Sequence, residues 1–310
     1  MNLLLDSQWS DDRRRARLYQ GDLFVFSPTP AAVGLTTRAR ELLESAFAPH
    51  HPTEAQHHLP VAEYAAVLGR VKPAFIHDPE CKRLIPRLVE ELGADPRQVY
   101  FDVPRMRSAT AHDYLTTGIA YAFHPHRDTW YSAPQAQINW WFPIYEMEPD
   151  NGMAFYPRHF AAAAPNSSET YNYYRWNRDS RAAAAQQIGT DTRVQPHLTA
   201  DVDLQPEVRV STPVGGIIMF SGQQLHATVR NATDVTRFSI DFRTVHRGDL
   251  EHGRGAPRVD AHCTGTSLRD FLSCVDLSHL PAPVVERYDD ESALEYADTL
   301  VYGAETRSSR

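Results

Sequence analysis

In the first third of the chain, apolar residues recur every three or four positions, the spacing that lines them along one face of a helix. TTRARELLESAF (36–47) and DPECKRLIPRLVEELG (78–93) both carry this rhythm. Each opens on a Thr or Asp able to cap a helix, and the second stops at Gly93. Between them APHHPTEAQHHLP (48–60) is polar and bounded by prolines, so it reads as loop. Its four histidines, His50, His51, His57 and His58, have no carboxylate in regular spacing, and a solvated loop describes them better than a metal site.

From about residue 98 the rhythm shortens to runs rich in aromatic and β-branched residues: QVYFDV, TTGIAYAFH, QINWWFPIYEM, MAFYP, VRVSTP, GIIMFSG, LHATVR and RFSIDFRTVH. Turn signals such as PDNG (149–152) and PVGG (213–216) separate them. Short strands after a helical lead-in predict a mainly β, α+β fold, a cupin-like jelly roll or double-stranded β-helix with helices packed on one face. NSSETYNYYRWNRDSRAAAAQQIG (166–189) interrupts the β series and reads as a loop followed by a helix. The tail after about 250 is irregular, with a short helix expected at SLRDFLSCV. With no internal repeat and no low-complexity linker, one domain is expected over 1–310. Its parts are a helical region at about 30–95, a β core at about 98–247, an insertion at about 160–200 and a C-terminal extension at 248–310.

Composition narrows the partners. A chain of 310 residues that is 42% hydrophobic can build a substantial core unaided. Its three cysteines, Cys81, Cys263 and Cys274, are far apart and lack Cys-x-x-Cys spacing, so neither a disulfide framework nor a thiolate zinc site is expected. That usage suits a reducing cytoplasm. The N-terminus breaks into charge immediately after a brief apolar run, unlike a signal peptide, and no stretch approaches the ~18 apolar residues of a membrane span. A net charge of -8 argues against a nucleic-acid polymer as partner and leaves room for a local basic pocket. A small molecule is the expected substrate.

The densest chemistry is YAFHPHRDTWY (121–131). On a β-strand, His126 and Asp128 would project from one face and supply half of a metal site. His226, 100 residues downstream, would complete a two-histidine, one-carboxylate set of the kind that leaves open positions on iron. Eleven residues beyond His226 stands Arg237, with Ser239 two positions on and so on the same strand face. A guanidinium with a neighbouring hydroxyl is suited to anchoring a small dicarboxylate. Alone, Arg237 would read as a surface arginine; the ordered set of H-x-D, distal His, Arg and Ser favours a site.

HRD followed by LHATVRNATDVTRFS resembles the iron(II)- and 2-oxoglutarate-dependent oxygenases, nearest to their phytanoyl-CoA dioxygenase-like branch. The resemblance covers roughly residues 98–247, with a looser match at LYQGDLFVFSP (18–28). It implies that His126, Asp128 and His226 bind Fe(II) and that Arg237 and Ser239 hold the distal carboxylate of 2-oxoglutarate. Thr228 matches a position whose hydroxyl assists. Gln137, Asn139 and Trp141 share one face by alternation and are expected to line the co-substrate pocket, with plain inter-sheet packing as the alternative for the tryptophans. The implied reaction consumes O2 and 2-oxoglutarate, releases succinate and carbon dioxide, and hydroxylates a C–H bond of a small metabolite, as a biosynthetic tailoring enzyme would. Asp128 fills the position that related halogenases leave open with Gly or Ala, which favours hydroxylation, desaturation or ring closure over chlorination.

For the substrate, Arg127 and Trp130 flank the ligands, and Arg175, Trp176 and Arg178 in the insertion could grip an anionic or ring-bearing molecule. The alternative for the insertion is an amphipathic helix with solvated arginines. Arg105 and Arg107 alternate on one strand face, toward either a carboxylate or solvent. His124 reads as a structural histidine before a metal-supporting or substrate-side one. Two other functions fit the same residues: a cupin-type metalloprotein that works without 2-oxoglutarate, and a non-enzymatic sensor that keeps the barrel and ligands.

Overall fold

The computed structural model describes residues 1–290. The lead-in is β1 (Leu3–Leu5), α1 (Asp11–Leu18), β2 (Leu23–Phe26), α2 (Pro30–Phe47), α3 (Val61–His77) and α4 (Pro79–Glu91). Thr29 caps α2 by accepting from the Ala32 N–H, with Pro30 at its first turn. Asp78 caps α4 by accepting from Glu80 and Cys81, and the chain leaves that helix through Gly93 at φ +79°. The helix α3 lies within the helical region expected at about 30–95 but was not singled out there. Its buried Tyr64, Leu68, Val71 and Phe75 fall three or four apart, but polar positions and Pro73 interrupt the rhythm.

The strands that follow are β3 (Val99–Phe101), β4 (Arg105–Ala109), β5 (Ile138–Pro143) and β6 (Met153–Phe155). After the short helix α5 (Tyr173–Asp179) come β7 (Val208–Val210), β8 (Ile217–Ser221), β9 (His226–Thr228) and β10 (Arg237–His246). The described chain closes with α6 (Arg247–Glu251), β11 (Leu272–Ser273) and α7 (Ala282–Val285). The larger sheet has the order β1-β2-β8-β5-β10-β3-β11, with β4 also on β10, and the smaller sheet the order β7-β6-β9. Every pairing is antiparallel except β1 with β2.

Alternation along the central strands sorts the layers. Ile138, Trp140 and Phe142 of β5 and Phe238, Ile240 and Phe242 of β10 join the core shared with α2, α3 and α4. Trp141 and, on β8, Ile218 and Phe220 pack instead with Met153, Phe155 and Val210 of the smaller sheet. Helices thus cover one face of the larger sheet, the smaller sheet lies on the other, and β5 is buried throughout.

Two expected elements differ. TTGIAYAFH forms no strand but a 3-10 turn at Gly118–Ala120. Gly118 is left-handed at φ +59°, and its neighbours bond to the insertion instead of a ladder: Thr117 Oγ1 donates to Gln187 O (2.8 Å), and the Gly118 N–H donates to Asp191 (2.9 Å). SLRDFLSCV gives a 3-10 turn at Ser267–Asp270 that runs into β11, not a helix. The insertion does contain a helix, α5, capped by Asn172.

Candidate metal centre and its cavity

His226 opens β9, just after the chain crosses from the larger sheet at Ser221 to the smaller one. His126 faces it across a single antiparallel bridge in which each residue's N–H donates to the other's carbonyl, at 2.9 and 3.0 Å. That bridge is the whole of the strand expected for H-x-D. Asp128 instead begins a 3-10 turn, held by its N–H donating to Gly222 O at 2.9 Å. The turn, not strand alternation, returns the carboxylate to the histidines. The donor atoms of His126, Asp128 and His226 lie within 4.8 Å of one another, and all three residues are buried. Asp128 Oδ1 is 3.6 Å from His126 Nε2 and 3.9 Å from His226 Nε2.

The chemistry of this donor set calls for a cation. His126 Nδ1 lies 2.8 Å from His124 O, and His226 Nδ1 lies 2.9 Å from Gln224 O. A carbonyl only accepts, so each Nδ1 carries a hydrogen and each Nε2 is turned toward the carboxylate. Burial, with His126 alongside, pulls the His226 pKa down to about 4, so this ring is neutral at pH 7. Burial pushes the Asp128 carboxyl upward. The approach of His126 and the charge of Arg243 outweigh that and hold it ionised, well below the usual carboxylate range. Two imidazole nitrogens and a carboxylate oxygen converging in this way are a ready set of metal ligands. The outer oxygen, Oδ2, accepts from Gln137 Nε2 (2.8 Å) and Asn139 Nδ2 (2.7 Å), which leaves Oδ1 for the metal. Gly222 makes room for this support, since a Cβ there would sit 3.2 Å from Gln137 Nε2 and 3.4 Å from Asp128 Cβ.

The triad opens on a cavity of about 380 Å³ between the sheets, whose lining includes Asn139, Trp141, Thr228, Arg237, Arg243 and Lys72. Arg237 is buried, with Nε donating to Asn151 O (3.0 Å) and Nη1 to Ser239 Oγ (2.5 Å). Its guanidinium carbon lies 5.3 Å from the centre of the Trp141 ring. Burial lowers its pKa to about 10, so it remains a cation at pH 7. Among the described residues no carboxylate lies within ion-pair distance of it, whereas its neighbours Arg107 and Arg243 are paired with Asp241 and Asp102. A buried, unmatched cation costs several kcal/mol, a cost that an anionic ligand in the cavity would offset.

Lys72 and Arg243 were missed by the sequence reading. Arg243 continues the β10 alternation that runs through Arg237, Ser239 and Asp241, and this signal was available. It reaches Asp102, in the gap between β3 and β4, at 2.8 Å, and lies 3.7 Å from Asp128 Oδ2. Lys72 arrives from α3 and donates to Ser108 Oγ (3.1 Å) and Ile119 O (2.5 Å), with no carboxylate in ion-pair range among the described residues. Burial, then the charge of Arg107, lowers its pKa to about 7. No local pattern marks it.

The expected substrate contacts divide. Arg127 is fully buried and donates to Asp260, Gln223 O, His159 O and Ala162 O, while Trp130 Nε1 donates to the same Asp260 at 2.8 Å. Both are therefore corrected from substrate contacts to a structural clamp. Lying between the ligands in sequence put Arg127 on the opposite side of the chain from them. Arg175 is exposed on α5, as is Arg178 beside Asp179, whereas Trp176 lines the cavity. The ring of His124 is exposed and only its carbonyl serves the site. Arg105 pairs with Asp102. His50 and His58 stack at 4.5 Å, and His57 bonds to Asp234 O. Among the described residues, no helix is long and apolar enough to cross a membrane.

No family model and no curated protein matches the chain. Among solved structures it is similar to EvdO2 from Micromonospora carbonacea var. aurantiaca complexed with 2-oxoglutarate, at 13% identity over 79% of this chain and 94% of that one, with a TM-score of 0.45. It is similar also to the non-heme alpha ketoglutarate dependent epimerase SnoN from nogalamycin biosynthesis, at 14% identity over 76% and 82% of the two chains, with a TM-score of 0.38. A third likeness is to EctD from S. alaskensis in its apoform, at 15% identity over 79% and 82%, with a TM-score of 0.38.

Proposed function

We propose that the protein is an iron(II)- and 2-oxoglutarate-dependent oxygenase that oxidises a C–H bond of a small molecule, with the chain acting as one oxygenase domain and the two sheets forming a cupin-like jelly roll. One observation carries the reading: a single cavity joins a buried His-Asp-His triad to a buried guanidinium that has no acid partner among the described residues. Three protein ligands leave open positions on a first-row metal. A dicarboxylate reaching from those positions to Arg237 would satisfy both halves of the site.

When bound, iron(II) with 2-oxoglutarate and dioxygen supplies the oxidising power that removes hydrogen from a substrate carbon, with succinate and carbon dioxide as co-products. The chain's own residues place and shield that chemistry. His126, Asp128 and His226 hold the metal, and the carbonyls of His124 and Gln224 fix the ring tautomers. Gln137 and Asn139 fix the carboxylate's orientation. Arg237, set by Asn151 O and Ser239, holds the distal carboxylate of the co-substrate, with Thr228 and Trp141 on the same wall. Phe220 packs edge-on against the His226 ring at 4.9 Å and keeps water from it. The Asp128 carboxylate occupies the place a halide would need, so oxygen chemistry is favoured over halogenation.

The test is an anaerobic titration of the apoprotein with Fe(II) and then 2-oxoglutarate, following the visible charge-transfer absorption. The wild type develops the band and His226→Ala does not. Arg237→Met retains metal binding but loses about 10–100-fold in 2-oxoglutarate affinity, the worth of a charge-assisted pair. No band in the wild type, or unchanged 2-oxoglutarate affinity in Arg237→Met, would refute the reading.

A further inference from the structure

A second, smaller chamber of about 130 Å³ shares a wall with the first, including His126, Asp128, Trp176 and Arg181, and is not lined by Arg237. Its path is aromatic: the Tyr131 ring lies 5.6 Å from that of His126 and 5.2 Å from Tyr171, which lies 6.4 Å from Trp176. Its far wall comes from the insertion. Asn177 and Trp176 both line the chamber, and Asn177 Nδ2 and Trp176 Nε1 are buried without a hydrogen-bond partner among the described residues. Asn177 is 7% exposed, and its amide oxygen is already taken by Arg181 Nη1 at 3.0 Å, which leaves only the N–H side to offer. Arg181 forms an ion pair with Asp270 at 3.6 Å, too long for a hydrogen bond. That carboxylate already accepts from the Tyr173 hydroxyl.

A buried donor left without an acceptor is costly, and here two of them stand with a guanidinium in one wall. We infer that this chamber binds the substrate by an acidic group, a carboxylate, which accepts from Arg181, Asn177 and Trp176 while a ring or apolar carbon skeleton lies along Tyr171 and Tyr131 toward His126. The placement rests on the proposed function for the reaction, but the chamber's preference for acids does not. Its size admits a small acid and no polymer. Arg237, proposed for the co-substrate's carboxylate, does not line this chamber, so the two acids have separate anchors.

Calorimetric titration of the protein loaded with Co(II) and saturating 2-oxoglutarate tests this, with phenylacetate, 3-phenylpropionate and indole-3-acetate each compared with its neutral amide. The expected result is that at least one acid binds about tenfold or more tighter than its amide. Arg181→Met removes that preference, and Asn177→Asp, a nearly isosteric change from donor to anion, abolishes acid binding. Co(II) and 2-oxoglutarate affinities stay at wild-type values in both variants. The inference is overturned if no acid binds, if acids and amides bind alike, if the preference survives both variants, or if saturating 2-oxoglutarate displaces the acid. Should Co(II) or 2-oxoglutarate fail to bind while the acid preference holds without them, the proposed function falls and the acid chamber stands.

Discussion

Asp128 has two unequal oxygens. Oδ2 is held by two amides, so Oδ1 is turned to the histidines without cost at the moment of metal binding. Replacing Asn139 by Leu removes one of the two supports and leaves the ligands themselves intact. Metal affinity is expected to fall about 10–100-fold, read by Co(II) titration, while the far-ultraviolet circular dichroism is unchanged. Lys72 gives a different signature. Its pKa is lowered from 10.5 to about 7 in the fold, so between those values the unfolded chain binds a proton that the folded chain does not. Its contribution to stability therefore rises with pH across that window and is least favourable below it. Lys72→Met is expected to remove this rise, seen as a smaller difference between urea midpoints at about pH 7 and about pH 9.5 than in the wild type. An equal difference in the two proteins would mean that the amine is not buried uncharged.

At the scale of elements, the insertion is docked through a turn rather than a strand. A Cβ on Gly118 would collide with the carbonyls of Ala184 and Gln187, and its left-handed backbone is strained for any other residue. Gly118→Ala is expected to cost about 1–3 kcal/mol, measured by thermal unfolding, and to loosen the wall bearing Ala184 and Arg193. Faster proteolysis within residues 181–193 would report that loosening. This docking was illegible in the sequence because TTGIAYAFH has the composition of a strand, and only contacts 66 or more residues away turn it into a turn. By contrast, the helices near 36–47 and 78–93 were legible because their apolar rhythm is local, although the first begins at Pro30 under a Thr29 cap and Thr36 lies inside it, donating to Ala32 O and Val33 O. The metal ligands were legible for a partly mistaken reason: H-x-D was read as two side chains on one strand, whereas one bridge and one turn bring them together. Arg127 and Trp130 show the opposite case. Their partner Asp260 lies about 130 residues downstream with no motif around it, so proximity to the ligands in sequence was misread as proximity to the substrate.

For the molecule as a whole, buried acids set the behaviour at low pH. Burial raises the Asp241 and Asp249 carboxyls, but Arg107 and Arg243 around the first and Arg15 beside the second hold both below the ordinary value. Their contribution is fully present above about pH 3.9, the unfolded value, and is lost as pH falls further, because the unfolded chain then takes up protons first. Urea midpoints of the apoprotein are expected to fall already from about pH 6.5, where the unfolded chain protonates His226, which the folded chain keeps neutral down to about 4, and to keep dropping below about pH 4 as these acids are lost. Ligands act in the other direction. Metal held at about 100 times its Kd adds about 2.7 kcal/mol, and 2-oxoglutarate raises the unfolding temperature further only when metal is present. A rise with 2-oxoglutarate alone, equal to that with both, would separate Arg237 from the triad and count against a shared site.

The reciprocal backbone pair between His126 and His226 bears on how such a protein can change. Two ligands that hold each other by their own main chains take no instruction from the segment that walls the second chamber. Residues 166–189 can therefore diverge, or be exchanged by an engineer, while the metal geometry is inherited intact. On the inference drawn above, selectivity becomes a replaceable part mounted on a fixed metal frame, and a library confined to that segment is the shortest route to a new ligand preference.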